Sequence, residues 1–254
     1  MDSDSLERKI VNIGRVDEVD SPPNTVDVIV PSFNEHEDVA ICVKRILSAF
    51  SNSPFVCNVI VVLDGPDAAA LTSLNNLKND KILVIQFETN KGKGAALRAG
   101  IHKSQSSYVA FIDADLDIHP DAICTGLELL QNDGTIVGAY GSKVHPESVV
   151  TYPITRRIMS LVFRLFLRAI LQIDVTDTQT GLKVFRSVEL KKILCESSEN
   201  GYMFDLEILM LLSRRKYQFA PVPITLDYQF NSSVKVSTAW KMAQQTLVLR
   251  RNLR

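Results

Sequence analysis

The strongest constraint on the fold is a regular alternation between short runs of β-branched residues and segments whose apolar residues recur at helical spacing. The strand-like runs lie at residues 26–30, 59–63, 82–87 and 108–112, and segments with helical character lie between them. Strands that alternate with helices favour an α/β fold. We therefore predict a doubly wound, mainly parallel sheet with helices on both faces.

The second half of the chain has a different pattern. It contains a strand-like run at residues 136–140, a polar loop at 174–180, and helical segments at 154–173, 204–215 and 238–251.

The length and the hydrophobic content indicate one compact domain. A chain of 254 residues, of which 46% are hydrophobic, can bury one large core. We expect a polar, acidic tail at residues 1–25 and a domain at residues 26–254. Because open α/β sheets bind ligands at the carboxyl ends of their strands, we assign nucleotide binding to residues 26–118 and substrate binding to residues 119–254.

Charge and cysteine content exclude some classes of function. Lysine and arginine total 28 against 29 acidic residues, so the net charge of -1 provides no field that favours nucleic acid. The four cysteines form no CxxC pair, which fits a reducing, cytoplasmic location. The sequence contains no run of about 18 uncharged apolar residues, so we predict no membrane span. Peripheral attachment to the cytoplasmic face of a membrane remains open.

Three carboxylates at alternate positions follow the fourth predicted strand. If the chain stays extended, Asp113, Asp115 and Asp117 point the same way and share one cation. Magnesium prefers oxygen ligands and needs only one or two protein carboxylates when a diphosphate supplies the rest. The alternative is a solvated acidic turn that caps a helix beginning near residues 119–120.

Polar segments also follow the other predicted strands. Pro31-Ser32-Phe33-Asn34-Glu35 follows the first strand and Asp64-Gly65 the second, and taken alone each favours an ordinary turn over a binding site. Lys91-Gly92-Lys93-Gly94 places flexible backbone and two cations at a helix start, which suits a diphosphate through exposed N–H groups. This segment lacks the Gly-Lys-Ser/Thr ending of a P-loop and follows the third strand, which disfavours ATP and NAD.

The ordered set of motifs resembles the family 2 glycosyltransferases of GT-A fold, and among them the dolichyl-phosphate glucose and mannose synthases and the bacterial polyprenyl-phosphate glycosyltransferases. The resemblance covers residues 26–235. Beyond the segments already quoted, it rests on Asn90, Ala95-Ala96, Gly141-Ser142-Lys143, Asp177-Thr178-Gln179-Thr180-Gly181-Leu182-Lys183 and Phe204-Asp205-Leu206-Glu207.

This resemblance implies a transferase that moves a hexose from a nucleotide sugar, such as UDP-glucose or GDP-mannose, to a polyprenyl or dolichyl phosphate carrier. It also implies inversion at the sugar carbon, a need for Mg²⁺ or Mn²⁺, and a role in the biosynthesis of cell-envelope glycans.

The resemblance further implies which residues form the site. Asp115 and Asp117 would bind the metal. The positions implied for donor binding are Pro31, Phe33, Glu35, Asp64, Lys93, Asp113, Ala114, Lys143, Arg156 and Lys235. The catalytic candidates are Asp115, Asp177, Asp205 and Glu207, and the last three are equally consistent with helix capping or loop hydrogen bonds.

The acceptor stays open at this level. A phosphate, with a second pKa of about 6, is an oxyanion at neutral pH and needs no general base, whereas a glycan hydroxyl needs one such as Asp177, Asp205 or Glu207. The helix at 154–173 is apolar over most faces and carries Arg164 and Arg168 four residues apart. It fits either a membrane-surface helix that presents a prenyl tail, or a helix that is buried or forms a homo-oligomer and whose two arginines reach outward.

Two other classes of function compete with a transferase. A nucleotidyltransferase should carry a glycine-rich basic loop after its first strand, where this chain has Pro31-Ser32-Phe33-Asn34-Glu35. A non-catalytic protein that binds a nucleotide sugar remains an alternative, although loss of Asp115 would be its expected signature and Asp115 is present.

Overall fold

The computed structural model describes residues 24–151 and 180–227. The acidic tail up to residue 23, the predicted helices at 154–173 and 238–251, and nearly all of the predicted loop at 174–180 lie outside these residues. The same is true of three predicted site residues, Arg156, Asp177 and Lys235. Within the two described ranges, no helix combines the length and the apolar character needed to cross a membrane.

The described chain forms nine strands and six helices. The strands are β1 Thr25–Ser32, β2 Val56–Leu63, β3 Ile82–Gln86, β4 Tyr108–Phe111, β5 Ile136–Ser142, β6 Val149–Thr151, β7 Lys183–Arg186, β8 Gln218–Pro223 and β9 Thr225–Asp227. The helices are α1 Asp38–Ala49, α2 Ala68–Asn75, α3 Lys93–Lys103, α4 Asp121–Asn132, α5 Ser187–Leu194 and α6 Phe204–Arg214.

Seven strands form one mixed sheet in the order β3-β2-β1-β4-β7-β5-β8. Strands β1 to β4 are parallel to their neighbours within that group, and β5 is parallel to β8. Only β7 is antiparallel to both of its partners within this sheet. The predicted doubly wound, mainly parallel α/β sheet is therefore confirmed. The sequence pattern missed β7 because four residues that include a lysine do not read as a buried strand.

Both faces of the sheet are covered by helices. Side chains alternate across a strand, so Val28 and Val30 belong to the apolar cluster that includes residues of α1, α2 and α4, while Ile29 belongs to the cluster on the other face. Helices α3, α5 and α6 cover that second face, where Leu97 and Phe204 are buried. Two apolar layers thus hold the sheet rigid, and they leave the loops at its ends to carry polar chemistry.

The parallel strands bring several loops to one edge of the sheet. Strands β1, β2, β4 and β5 all end there, whereas the antiparallel β7 begins there, with Lys183 opposite Phe111 and Tyr140. A second, two-stranded sheet pairs β6 with β9. It joins this edge because the Asp227 N–H donates to the Asp117 carbonyl (2.9 Å) and the His119 N–H donates to the Thr225 carbonyl (3.0 Å).

Candidate active site

The acidic segment after β4 forms a turn. The strand ends at Phe111, so the predicted extended run through Asp113, Asp115 and Asp117 is wrong. Leu116 has a left-handed backbone with φ of 63°, and the Asp117 N–H donates to Oδ1 of Asp115 over 3.2 Å. A left-handed non-glycine residue stores backbone strain, which is typical of functional sites. The turn, rather than strand alternation, therefore sets how these carboxylates face one another.

Desolvation and neighbouring carboxylates raise the pKa of two acidic residues at this edge, Asp115 and Glu35. Although Asp115 reaches solvent, partial desolvation and the negative charges of Asp113, Asp117 and Glu35 raise its pKa to about 7. Burial and the charges of Asp38 and Asp113 also raise the pKa of Glu35. Negative charge is thus concentrated around Asp115 and Glu35, and a bound cation would relieve the repulsion.

The side-chain ligands for such a cation form only a partial set. Among the residues that the structure describes, no group of three or more His, Cys, Asp or Glu side chains is arranged to hold a metal ion. One or two carboxylates, such as Asp115 and Asp117, suffice when a diphosphate provides further oxygens. The residues present fit a metal that binds together with its substrate.

A buried network of charges lies beside the acidic turn. The Lys93 ammonium is 2.6 Å from Asp113 Oδ1 and 3.2 Å from Asp205 Oδ2. The other Asp205 oxygen is 3.1 Å from the ammonium of Lys183. Burial lowers the pKa of Lys93, but the two carboxylates raise it more, so Lys93 is a cation. Burial raises the pKa of Asp205, and the two ammonium groups outweigh it and lower the pKa.

Lys183 and Gly181 are site residues to which sequence reasoning gave no separate role. Lys183 is fully buried, and its ammonium donates to the Thr180 carbonyl at 2.8 Å as well as pairing with Asp205. A side chain on Gly181 would overlap the Asp113 carboxylate, so that carboxylate lies directly against the Gly181 backbone. In the sequence, the only local indication of a role for these two residues was that a glycine and a lysine flank the apolar Leu182.

The segment from Lys91 to Gly94 forms a packing junction. Oδ1 and Oδ2 of Asp64 accept hydrogen bonds from the N–H groups of Lys91 (2.6 Å) and Gly92 (2.9 Å). The Ala95 N–H donates to the Asn200 carbonyl (3.0 Å). The N–H groups of Lys91 and Gly92, which the sequence pattern offered to a diphosphate, thus already have acceptors within the protein.

The two described candidates for a general base are both occupied. Asp205 is held by two ammonium groups, as described above. Glu207 is 1% exposed, and its oxygens accept hydrogen bonds from the side chains or N–H groups of Ser197, Ser198 and Glu199. The lowered pKa of Asp205 makes it a weak proton acceptor, and the oxygens of Glu207 are already occupied by donors from the protein.

The remaining predicted residues lie at the same edge of the sheet. Pro31 is the penultimate residue of β1, and Phe33, 51% exposed, follows it beside Gly65. Ala114 is buried within the acidic turn. Lys143 directly follows β5. The structure thus joins Lys93, Asp113 and Asp205 by ion pairs and places Asp115 and Glu35 within the electrostatic influence of Asp113. The hydrogen bonds of Glu207, by contrast, go to the loop at 197–199.

Solved structures share this architecture. The glucosyl-3-phosphoglycerate synthase of Mycobacterium tuberculosis, in complex with UDP, aligns with a TM-score of 0.71 at 18% identity, covering 91% of this chain and 81% of that one. The same enzyme with Mn²⁺, UDP-glucose and phosphoglyceric acid aligns with a TM-score of 0.70, also at 18% identity, over 91% and 80% of the two chains. The described residues therefore adopt the GT-A fold.

Sequence comparison specifies the family. The signature of glycosyl transferase family 2 matches residues 27–194, so the chain belongs to that family. It is 27% identical over 247 residues to a dolichyl-phosphate beta-glucosyltransferase of Homo sapiens, covering 91% of this chain and 76% of the relative. It is 26% identical to the enzyme of that name in Saccharomyces cerevisiae, covering 89% and 74% of the two chains. The family predicted from the ordered motifs is confirmed.

Proposed function

We propose that this glycosyltransferase moves glucose from UDP-glucose to the phosphate of a polyprenyl or dolichyl phosphate, with Mg²⁺ or Mn²⁺ bound at Asp115 and Asp117. The observation that carries the proposal is the acidic turn, where partial desolvation and the neighbouring carboxylates raise the pKa of Asp115 to about 7. The choice of glucose and of a lipid phosphate is supported by the names of the relatives from Homo sapiens and Saccharomyces cerevisiae.

A phosphate acceptor agrees with the state of the buried carboxylates. A hydroxyl acceptor would need a general base, and Asp205 and Glu207 are both engaged within the protein. A phosphate oxygen is already negatively charged at neutral pH. It attacks the anomeric carbon, the bond from that carbon to the diphosphate oxygen breaks, and UDP leaves with the electron pair, so that the configuration inverts.

Each part of the site has a place in this reaction. A bound divalent cation would supply charge stabilisation to the leaving diphosphate. Lys143, directly after β5, would add a second positive charge there, and Arg156 and Lys235 remain candidates for the same task. Phe33 is exposed enough to contact the nucleoside, while Glu35 and Asp64 would line the pocket beside it. Asp113, 32% exposed in its side chain, would face the donor from its ion pair with Lys93.

The test is a transfer assay with purified protein, UDP-glucose, a short polyprenyl phosphate and Mg²⁺ or Mn²⁺, in which UDP release and glucosyl lipid are both measured. GDP-mannose and UDP-N-acetylglucosamine serve as competing donors, and ¹H NMR of the product gives the anomeric configuration. Asp115→Asn removes the proposed metal ligand. Asp80→Asn is its matched control, because Asp80 is exposed and precedes β3 at the opposite edge of the sheet.

We expect lipid-dependent release of UDP that EDTA and Asp115→Asn abolish and that Asp80→Asn leaves intact. Transfer only to a glycan hydroxyl would replace the proposed acceptor. Binding of UDP-glucose without turnover on any acceptor would favour the non-catalytic alternative.

A further inference from the structure

The loop at residues 197–201 lies against the start of α3 with almost no space between them. The Asn200 carbonyl accepts the hydrogen bond from the Ala95 N–H at 3.0 Å. A Cβ atom added to Gly94 would lie 2.8 Å from the Asn200 carbonyl carbon and 2.8 Å from Cβ of Phe204, and one added to Gly92 would overlap the Asn200 backbone. The two glycines therefore permit this contact, and Lys93 lies between them.

The carboxylate of Glu207, on α6, accepts hydrogen bonds from this loop. Its Oε1 accepts from the N–H (3.1 Å) and the hydroxyl (3.3 Å) of Ser198, and its Oε2 accepts from the hydroxyl of Ser197 (2.5 Å) and the N–H of Glu199 (3.0 Å). Charge-assisted hydrogen bonds to a buried carboxylate are strong, and their loss would leave donors unsatisfied. One side chain of α6 thus fixes three consecutive loop residues.

Arg98 holds the same loop from α3. Its guanidinium donates to the Leu194 carbonyl (3.1 Å), the Ser197 hydroxyl (3.0 Å) and the Glu199 carbonyl (3.2 Å), and it lies over the ring of Phe204. The planar guanidinium suits such a set of divergent acceptors better than an ammonium group does.

These contacts fix the position of Lys93. On one side Asp64 holds the N–H groups of Lys91 and Gly92, and on the other the loop at 197–201 holds the first turn of α3. Lys93 is thereby directed between Asp113 and Asp205.

We propose that Glu207 and Arg98 are positioning residues, which hold the loop at 197–201 against α3 and so keep Lys93 paired with Asp113 at the edge of the acidic turn. The proposal rests on the proposed function for its kinetic consequences. It gives Glu207 a role in place of the general base considered from the sequence, and it predicts a change in cation binding that simple destabilisation would not produce.

The test compares the wild type with Glu207→Gln, Arg98→Lys and Gly94→Ala. In Glu207→Gln the amide N–H groups would face the N–H donors of the loop. In Gly94→Ala the new methyl group would collide with the Asn200 backbone of the same loop. Two substitutions are matched controls: Glu196→Gln removes an exposed ion pair with Arg215 beside the loop, and Gly134→Ala adds a methyl group where no atom lies within 4 Å.

Two readouts are measured: kcat and KM for UDP-glucose, and the Mn²⁺ dissociation constant in the presence of UDP from the EPR signal of free Mn²⁺. We expect kcat to fall between about tenfold and about 100-fold in the three variants, because small displacements near a reacting centre are costly. We also expect tighter Mn²⁺ binding, since displaced Lys93 leaves Asp113 uncompensated. The two controls should match the wild type in both readouts.

Wild-type kcat and wild-type Mn²⁺ affinity in all variants that fold would overturn the proposal. So would a fall in kcat with unchanged Mn²⁺ affinity, because that result is what general destabilisation gives. If Glu207→Gln does not fold, as judged by circular dichroism, Arg98→Lys and Gly94→Ala carry the test. If the wild type transfers no glucose, the proposed function fails, whereas the Mn²⁺ comparison still decides the positioning role.

Discussion

The ammonium of Lys93 lies 2.6 Å from Oδ1 of Asp113, so a residue at the start of α3 neutralises the first carboxylate of the acidic turn after β4. Asp205 is shared between Lys93 and Lys183, which balances two cations against two carboxylates. This balance does not include Asp115, whose pKa is raised to about 7 by desolvation and by the charges of Asp113, Asp117 and Glu35. The carboxylates at this edge therefore differ: Asp113 and Asp205 form ion pairs with lysines, whereas Asp115 has a raised pKa.

Removing the central cation should cost both stability and activity. Lys93→Met leaves Asp113 without its ion pair and Asp205 with Lys183 alone, and breaking a largely buried pair costs about 3 kcal/mol. The free energy of unfolding in urea measures the loss, and the transfer assay should show little activity. Lys192→Met on the exposed surface of α5 is the control. Equal stability of the two variants would contradict a structural role for the Lys93 ion pairs.

A methyl group at residue 181 should disturb the site without unfolding the protein. In Gly181→Ala the new Cβ would overlap the Asp113 carboxylate, which must then move away from Lys93. We expect activity to fall by about 100-fold, since displacement of a site residue by about 1 Å can have that effect. Gly134→Ala, with open space around its Cβ, should be fully active. Wild-type activity in Gly181→Ala would show that the position of Asp113 does not matter.

The raised pKa of Asp115 should make the metal-free protein less stable as the pH rises. The native-state pKa of about 7 exceeds the ordinary value of 3.8 expected for the unfolded chain, so the native state binds more protons between these values and stability falls as pH rises from about 4 to about 7. Asp115→Asn should therefore increase the free energy of unfolding more at pH 8 than at pH 5, in EDTA. An equal change at both values would contradict the raised pKa. The same variant should be inactive.

Asp27 should have the opposite pH dependence. This buried residue of β1 accepts hydrogen bonds from the Asn58 side chain (3.0 Å) and from the N–H groups of Gln105 (2.9 Å) and Ser106 (3.1 Å). Burial raises its pKa, but these hydrogen bonds outweigh it and lower the pKa below 3.8. The stabilisation is therefore fully present above about pH 4 and is lost as pH falls through the lowered native-state pKa.

Asp27→Asn is the substitution that tests this dependence. It turns an amide donor toward backbone donors, and at pH 7 we expect a loss of about 1–3 kcal/mol. The loss should shrink at pH 3 in chemical denaturation, and an equal loss at both values would contradict the lowered pKa. Activity of the folded variant should be retained, since Asp27 lies near the amino end of β1, away from the acidic turn.

The first four strands were predictable from their apolar, largely β-branched runs, which in β1 and β2 are buried on both faces. Sequence reasoning also reached the carboxyl edge as the place of the site, since parallel strands deliver their following loops to one edge. It missed β7 and the short strands β6, β8 and β9. These strands are set by hydrogen bonds to distant segments rather than by a local pattern.

The partners of the site residues were not predictable in the same way. Lys93 and Gly92 fit a phosphate loop when only neighbouring residues are considered. In the fold, Asp64 and Asn200 take up the N–H groups of that loop, and Asp113 and Asp205 take up its ammonium group. The contacts join residues as far as 112 positions apart, Lys93 to Asp205, and no local pattern encodes them.

Local periodicity and ordered motifs were enough to establish the α/β alternation, the family and the set of acidic and basic residues at the carboxyl edge. The tertiary structure was needed to decide which carboxylates are neutralised by lysines and which carry excess charge. Burial and distance set the strength of an ionic interaction, and both arise when α3, β4, β7 and α6 pack together. Asp113 and Asp115 are two residues apart in the chain, yet the packing pairs Asp113 with Lys93 and gives Asp115 a raised pKa.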